Sequence, residues 1–588
     1  MRQFFKFVLA TIVGLFLFGF VGFLILVGIA ASASDDTVTI ANNSVLEIKL
    51  SQPVVERAPR SPFAELGMGD VFGDNGIGLD EIKASIRKAK ADDNIKGILL
   101  KMDFLSAGMA STEEIRNALL DFKKSKKFIV AYSEFSTEKA YYLGSVADRF
   151  YLNPSGAIEL NGLSSEVMFF KGSLEKLDLQ PYIFKVGDFK SAVEPFILDK
   201  MSEPSRLQTQ SFLNSMNNYM LQNLAKTLKK DVAVVKNISD SMLVHNAEDA
   251  KRLGLVTHLG YYDEATDFMK QKAGIAKDKE LKLVNLGRYK KAADPEKKDG
   301  DSSNKIAVIY ASGEIAGGEG SDNSIGSEGL SKSIRKARLD KSVKAIVLRI
   351  NSPGGSSLAS DVIWREVMLA KKVKPVIASM SDVAASGGYY IAMAADTIVA
   401  HPTTITGSIG VFGMMVNMEN FLKNKLGITT DRVNTGKFSD VPSVTRPMTA
   451  YEKMHIQREV ERIYEDFTTK AAKARNMPVD QLKKLASGRV WSGLEAKENG
   501  LVDVLGGLET AIAIAAKKAD LKEGDYRLRS LPAQKSFMQS FFSDTETQLK
   551  HRALQQELGA ALPYYQQYQK VMQLQGIQAR MPFEITID

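Results

Sequence analysis

One long internal repeat governs what this chain can fold into. The segment Ser85-Ile86-Arg87-Lys88-Ala89 recurs as Ser333-Ile334-Arg335-Lys336-Ala337, at an offset of 248 residues. The register then holds without a gap. Asp92 meets Asp340, Lys96 meets Lys344, and Ile98-Leu99-Leu100 meets Ile346-Val347-Leu348. Tyr141-Tyr142 meets Tyr389-Tyr390, Asp148 meets Asp396, and Pro154 meets Pro402. After a small deletion, Ala250 and Gly254-Leu255-Val256 match Ala496 and Gly500-Leu501-Val502. A period this long is a duplicated domain, not a solenoid. It also suits the 588-residue length, which is too great for one ordinary domain.

Each copy alternates β-rich runs with helical stretches. Ile306-Ala307-Val308-Ile309, Ala345 to Ile350 and Val376-Ile377-Ala378 read as buried strands. Leu330 to Arg338 and Ser357 to Lys371 carry helical spacing. This alternation predicts α/β layers with largely parallel strands. The stretch from Lys290 to Asn304 is charged, holds a Pro and a Gly, and lacks apolar periodicity, as a linker does. The expected organisation is therefore residues 1–36 as cytoplasmic tip and anchor, 37–289 as the first repeat, 290–304 as linker and 305–525 as the second repeat. Residues 526–588 are Gln-rich, without counterpart in the first copy, and are expected to be a helical tail.

The anchor expectation rests on residues 8–33, an uncharged and almost wholly apolar run. That is long enough for a helix to cross a hydrocarbon core of about 30 Å. Arg2 and Lys6 precede the run and Asp35 and Asp36 follow it, which places the N-terminus in the cytoplasm and the body outside. The rival is a cleaved signal peptide ending near Ala31-Ser32-Ala33, but the apolar stretch exceeds a signal sequence's usual core. No other stretch reaches spanning length, so the anchor is expected to be single-pass.

Composition narrows the chemistry. With no cysteine there are no disulfides, no thiol catalysis and no Cys-based zinc site. The five histidines, His245, His258, His401, His455 and His551, form no HxxxH or HExxH pair, which argues against a zinc hydrolase. The net charge of +8 is scattered rather than clustered and gives no sign of a nucleic-acid partner.

Two Gly-rich features stand out in the second copy. Asn351-Ser352-Pro353-Gly354-Gly355-Ser356 follows a strand and opens a helix, an order that exposes backbone N–H groups to developing negative charge. A plain strand-to-helix turn is the alternative. Ala384-Ala385-Ser386-Gly387-Gly388-Tyr389-Tyr390 sets a serine among small residues, which suits a nucleophile that a peptide backbone must approach. The N–H groups of Gly355 and Gly387 are the candidate oxyanion donors. In the first copy the aligned residues are Asp103, Phe104-Leu105-Ser106-Ala107 and Glu138-Lys139-Ala140. The scaffold repeats and the glycine machinery does not.

A serine nucleophile needs a base. His401 lies nearest in sequence; a lysine serves only if burial keeps it neutral. Val186-Gly187-Asp188-Phe189-Lys190 aligns with Thr435-Gly436-Lys437-Phe438-Ser439, so Lys190 faces Ser439. One copy holds the serine and the other the lysine, the pattern of one composite site.

GDFKSAVEPF (187–196), RINSPGGS (349–356), AASGGYYIA (384–392) and TGSIGVFG (406–413), with GRVWSG (488–493) and GLVD (500–503), resemble the signature segments of the signal peptide peptidase A (protease IV) family in its long, two-repeat form. The resemblance covers roughly residues 40 to 525 and includes the N-terminal anchor. It implies a duplicated ClpP/crotonase-type α/β fold of stacked ββα units. It implies a Ser–Lys dyad with Ser386 as nucleophile and Lys190 as general base and acid, no metal and no cofactor. It implies a homo-oligomer, a tetrameric bowl with an apolar interior, acting on signal-peptide remnants and other hydrophobic peptides. The expected location is the bacterial inner membrane, with residues 8–33 in the bilayer and the body in the periplasm. Three alternatives stand beside this reading: a Ser–His peptidase using His401, a crotonase-type acyl-CoA binder, and a non-catalytic membrane scaffold. An extracytoplasmic body argues against the CoA reading, because CoA is cytosolic.

Overall fold

The computed structural model describes residues 2–34, 38–58, 76–295, 303–321, 323–533, 554 and 576–581. Its plan is two parallel sheets of one design and a third sheet that joins them.

The first sheet has six strands, all parallel, in the order His258–Leu259, Arg149–Ile158, Phe128–Ser136, Ile95–Lys101, Ser44–Lys49, Leu283–Asn285. The second repeats that order as Val504–Leu505, Thr397–Ala400, Val376–Ala385, Val343–Ser352, Lys305–Ser312, Arg527–Leu531. It adds Ile405–Gly407 and the antiparallel Val490–Ser492. Helix Leu79–Ala91 of the first copy and helix Ser327–Leu339 of the second keep the 248-residue offset.

The strands read as continuous apolar runs because both faces are buried. Ala307, Ile309 and Ala311 enter the main core of the second copy. Their neighbours Ile306 and Val308 face the opposite side, against Ala511 and Ala515 of helix Leu508–Lys518. In the first copy Leu46 and Ile48 face the main core, while Val45 faces Ala265 and Met269 of helix Tyr262–Ala273.

Two expectations change. The second copy does not end at 525: Arg527–Leu531 completes its sheet where Leu283–Asn285 completes the first. The tail was expected to be helical, yet its described ends, Arg527–Leu531 and Gly576–Arg580, are strands. In both, an open sheet edge supplies the backbone partners that a helix would otherwise provide internally. Residue 554 is helical, and apart from it and residues 526, 532, 533 and 581 the rest of that tail lies outside the described residues, as does 296–302 of the expected linker.

Residues Arg2–Ser34 form one helix of 33 residues. Side chains are described only for 3, 4 and 6–22 of it. Among the described residues, no helix is long and apolar enough to cross a membrane. Of the expected spanning stretch 8–33, the side chains are described only as far as 22.

The third sheet has seven strands, in the order Gly320–Ser321, Ser324–Gly326, Glu314–Ala316, Gly354–Ser356, Gly576–Arg580, Phe412–Asn417, Gln180–Lys185. Its last strand belongs to the first copy and pairs antiparallel with Phe412–Asn417, from Lys185↔Phe412 to Gln180↔Asn417. This pairing carries the lysine segment across to the serine copy.

Candidate active site

Strand Val376–Ala385 ends at Ser386, and helix Gly387–Ala392 begins immediately after it. The turn is tight. Ser386 sits at φ 54°, ψ −109°, a conformation rarely adopted by residues with a side chain. Its N–H donates to Gly407 O at 2.8 Å, which fixes the turn from behind. The glycine at 388 is required by close approach: a Cβ there would lie 2.7 Å from Ser352 O. Strain of this kind at a buried hydroxyl marks a position the fold over-determines.

Lys190 comes five residues after the crossing strand Gln180–Lys185. Its backbone is pressed against Gly488, where a Cβ would lie 2.7 Å from Lys190 Cα. Phe189 N–H donates to Ser487 O at 3.1 Å, and Gln208 Nε2 donates to Phe189 O at 3.0 Å. The side chain therefore has one way to go.

Lys190 Nζ lies 3.0 Å from Ser386 Oγ, across 196 residues of sequence and between the two copies, within a single chain. The same nitrogen is 3.1 Å from Ser408 Oγ and donates to Ser408 O at 3.3 Å. Ser386 Oγ donates to Gly410 O at 3.2 Å. Both side chains are 0% exposed. Among the described residues no carboxylate hydrogen-bonds to Lys190, and burial holds its ammonium well below the ordinary lysine range. A lysine held in that state has the chemistry of a general base, and a hydroxyl lies within its reach.

A model for peptidase family S49 matches the chain twice, over residues 121–276 and 368–522. The chain belongs to peptidase family S49. Among its relatives, "Serine protease SPPA, chloroplastic" of Arabidopsis thaliana is 37% identical over 76% of this chain and 66% of its own length. "Protease 4" of Haemophilus influenzae is 34% identical over 74% of this chain and 72% of its own. "Protease 4" of Salmonella typhi is 35% identical over 76% and 72%. These relatives support a serine-type peptidase. A solved ClpP1 mutant from Listeria monocytogenes aligns at 18% identity over 35% of this chain and 94% of its own, with a TM-score of 0.24, too slight a likeness to bear on activity.

In this S49 chain the alternative base is not at the serine. The His401 backbone N–H donates to Thr404 Oγ1 at 2.9 Å, and its ring makes no hydrogen bond to Ser386. The ring is buried near Glu114 and Glu113, and burial lowers its pKa. The loop glycine that approaches Gly387 most closely is Gly354, whose Cβ would lie 2.7 Å from Gly387 N. Gly354 N–H already donates to Ser352 Oγ at 3.2 Å. Gly355, one of the expected oxyanion donors, lies in strand pairing between Ile315 and Ala579.

Ser408 was not singled out from the sequence, although it lies within the TGSIGVFG segment. The repeat comparison that separates Ser386 from Glu138 also separates Ser408 from Leu160, so the signal was present.

A buried charge cluster holds the two copies in the register this site needs. Arg349 is fully buried; its Nε and Nη2 donate to Glu56 at 2.8 and 3.1 Å, and its Nη1 donates to Glu114 at 2.8 Å. It also donates to Ser379 Oγ and Ser381 Oγ on the strand leading to Ser386. Lys83 bridges Glu114 and Glu509. Burial alone would raise the Glu114 pKa; Arg349 and Lys83 reverse that and hold it well below the carboxylate range. Ser111 N–H and Oγ donate to Asp382 at 2.8 and 2.5 Å, four residues before the serine.

Proposed function

We propose that this S49 peptidase is a membrane-anchored serine endopeptidase working through a Ser386–Lys190 dyad, and that it degrades cleaved signal peptides and other hydrophobic peptides. The observation that carries the dyad is the 3.0 Å contact between a carboxylate-free, buried lysine and a serine in a strained turn.

Neutral Lys190 takes the proton of Ser386 as Oγ attacks the scissile carbonyl. Ser408 Oγ and its carbonyl keep Nζ aimed at the hydroxyl. Backbone N–H groups of Gly387 and Gly355 are proposed to receive the oxyanion. Lys190 then gives its proton to the leaving amine, and water, deprotonated by the same nitrogen, releases the acyl group. The cycle needs no metal or cofactor.

Membrane anchorage is supported by the sequence of the helix Arg2–Ser34, uncharged and almost wholly apolar from 8 to 33. Its described apolar side chains, Phe7, Leu9, Phe16 and Phe18 among them, are exposed. In this reading the helix crosses a bacterial inner membrane once, with the N-terminus cytoplasmic and the body periplasmic. Assembly into a homotetramer, and signal-peptide remnants as substrates, rest on the family resemblance.

The test uses purified full-length protein in detergent and a synthetic signal peptide, followed by mass spectrometry. Ser386→Ala and Lys190→Ala should each lower turnover by at least about a hundredfold, while His401→Ala retains it. Full activity after Lys190→Ala would end the dyad proposal.

A further inference from the structure

The hydrogen-bond partners of the Lys190 ammonium, Ser386 and Ser408, belong to the second copy. From its own side the lysine is aimed by the seating of residues 189–191, and one side chain dominates that seating. Gln208 lies on helix Glu203–Leu228 of the first copy and is 0% exposed. Its Nε2 donates to Phe189 O at 3.0 Å and to Ser191 Oγ at 2.8 Å, one residue to either side of Lys190. Its Oε1 accepts the N–H of Val490 at 3.0 Å. Val490 begins the strand Val490–Ser492 of the second copy. A single amide thus holds the lysine segment and the serine copy at once.

The tie continues along one helix face. Ser211 and Ser215 follow Gln208 at spacings of three and four, which keeps all three on that face. Ser211 Oγ donates to Glu495, and Ser215 Oγ lies 2.7 Å from Ser492 Oγ. From the other side, the Arg489 guanidinium lies 5.1 Å from the centre of the Phe189 ring and 3.9 Å from that of Trp491. Apolar packing alone would hold helix and strand together yet let them slide. A buried amide resists sliding, because each bond lost leaves a polar group dry and unpaired.

The other copy shows that the clamp is no general property of the scaffold. Its helix Ala450–Arg475 has the same length of 26 residues as Glu203–Leu228. Position for position, Gln208, Ser211 and Ser215 meet His455, Arg458 and Arg462. His455 is exposed, as is Ser439 at the lysine's counterpart. The clamp occurs in the copy that carries the lysine.

We propose that Gln208 is a positioning residue for the dyad, holding the backbone on both sides of Lys190 against strand Val490–Ser492 so that Nζ stays dry and within reach of Ser386 Oγ. This rests on the Ser386–Lys190 peptidase reading above and deepens it. Loosening the clamp admits water to Nζ. Burial is what holds that ammonium below the ordinary lysine range, so hydration moves it back up and leaves more of the base protonated at neutral pH. The charged and titratable groups around the loop are otherwise engaged. Asp188 is exposed, Glu194 accepts the N–H and Oγ of Ser202, and Glu495 accepts Ser211. Tyr464 Oη accepts the Ser487 N–H, and Arg489 lies over Phe189. Among the described residues none of these hydrogen-bonds to Nζ.

The test compares full-length wild-type protein in detergent with Gln208→Leu, Ser191→Ala and Lys190→Ala. It reads the melting temperature, and kcat and KM for a quenched apolar peptide across pH 5 to about 11. Gln208→Leu is expected to lower kcat at neutral pH by at least about tenfold with KM within about twofold, and to move the inflection of kcat to higher pH. Ser191→Ala keeps the bonds to Phe189 and Val490 and shows the same two changes at about threefold in kcat. A lower melting temperature with wild-type kcat and inflection makes Gln208 structural and overturns the proposal, as does a change confined to KM. If Gln208→Leu does not fold, Ser191→Ala decides by the same readings. Lys190→Ala as active as the wild type overturns the dyad reading and this proposal with it. An inactive Lys190→Ala beside a fully active Gln208→Leu overturns this proposal alone.

Discussion

The two copies keep one architecture and differ in the residues they bring to the candidate site. Where the second copy has Ser386, the first has Glu138, whose carboxylate accepts the N–H groups of Asn161 and Gly162 at 3.0 and 2.8 Å. Gly162 is the counterpart of Gly410, the residue whose carbonyl accepts the Ser386 hydroxyl. The same pocket is thus closed by a carboxylate in one copy and holds a lysine-bound serine in the other. The converse holds for the lysine segment. Lys190 is buried against Gly488, while its counterpart Ser439 is exposed and donates only to Gly436 O, at 2.9 Å. A duplicated fold lets each copy lose the half the other retains, provided the docking between them is exact.

That docking is where the comparison breaks most visibly. Arg349 has Lys101 as its counterpart, and Lys101 lies over the Tyr262 ring within its own copy instead of crossing between copies. Arg349→Leu strands Glu56 as a buried charge and leaves Glu114 with Lys83 alone, at a cost of about 3–5 kcal/mol. A large drop in melting temperature together with loss of peptidase activity is expected, read by calorimetry and the peptide assay. An unchanged melting temperature would mean the copies are held by apolar packing alone.

Glu138 gives a smaller effect, on stability. Burial raises its pKa to about 6 from 4.5. The folded state therefore binds the proton more tightly than the unfolded state. Stability on this account falls as pH rises from 4.5 through 6, by on the order of 2 kcal/mol. Glu138→Gln should remove that part of the pH dependence of the melting temperature, and a persistent slope would place it elsewhere. The smallest effect is at Ser408, which stands where the first copy has Leu160. Ser408→Ala removes one hydroxyl from Lys190, worth about 1 kcal/mol or roughly fivefold in kcat, with KM unchanged. A change confined to KM would make Ser408 a substrate contact instead.

Much of this was legible from residues. Ile306 to Ile309 and Ala345 to Ile350 read as strands because a parallel strand buried on both faces leaves a continuous apolar run. The pairing of Ser386 with Lys190 was legible because each lacks its counterpart in the other copy. The third sheet was not, because its strands come from both copies and the tail, and are two to six residues long with no shared period. Arg527–Leu531 was read as tail since its sequence, RLRSL, has no echo in Leu283-Val284-Asn285; only the sheet edge shows they are equivalent. Gly576–Arg580 carries little strand character of its own, and its conformation comes from the two edges it joins. Arg349 was visible only as part of a motif, because its partners lie 293 and 235 residues away.

The central claim is that an uncharged lysine of one copy activates the serine of the other. The rate at which a fluorophosphonate probe phosphonylates Ser386 with loss of fluoride, followed by mass spectrometry across pH 5 to about 11, tests it most directly. The account predicts a rate that falls as pH drops through an inflection well below the ordinary lysine value, because protonation of Lys190 removes the base. In Lys190→Ala the rate should be at least about a hundredfold slower and lack that inflection. Labelling of Lys190→Ala at the wild-type rate, with the same inflection, would contradict it.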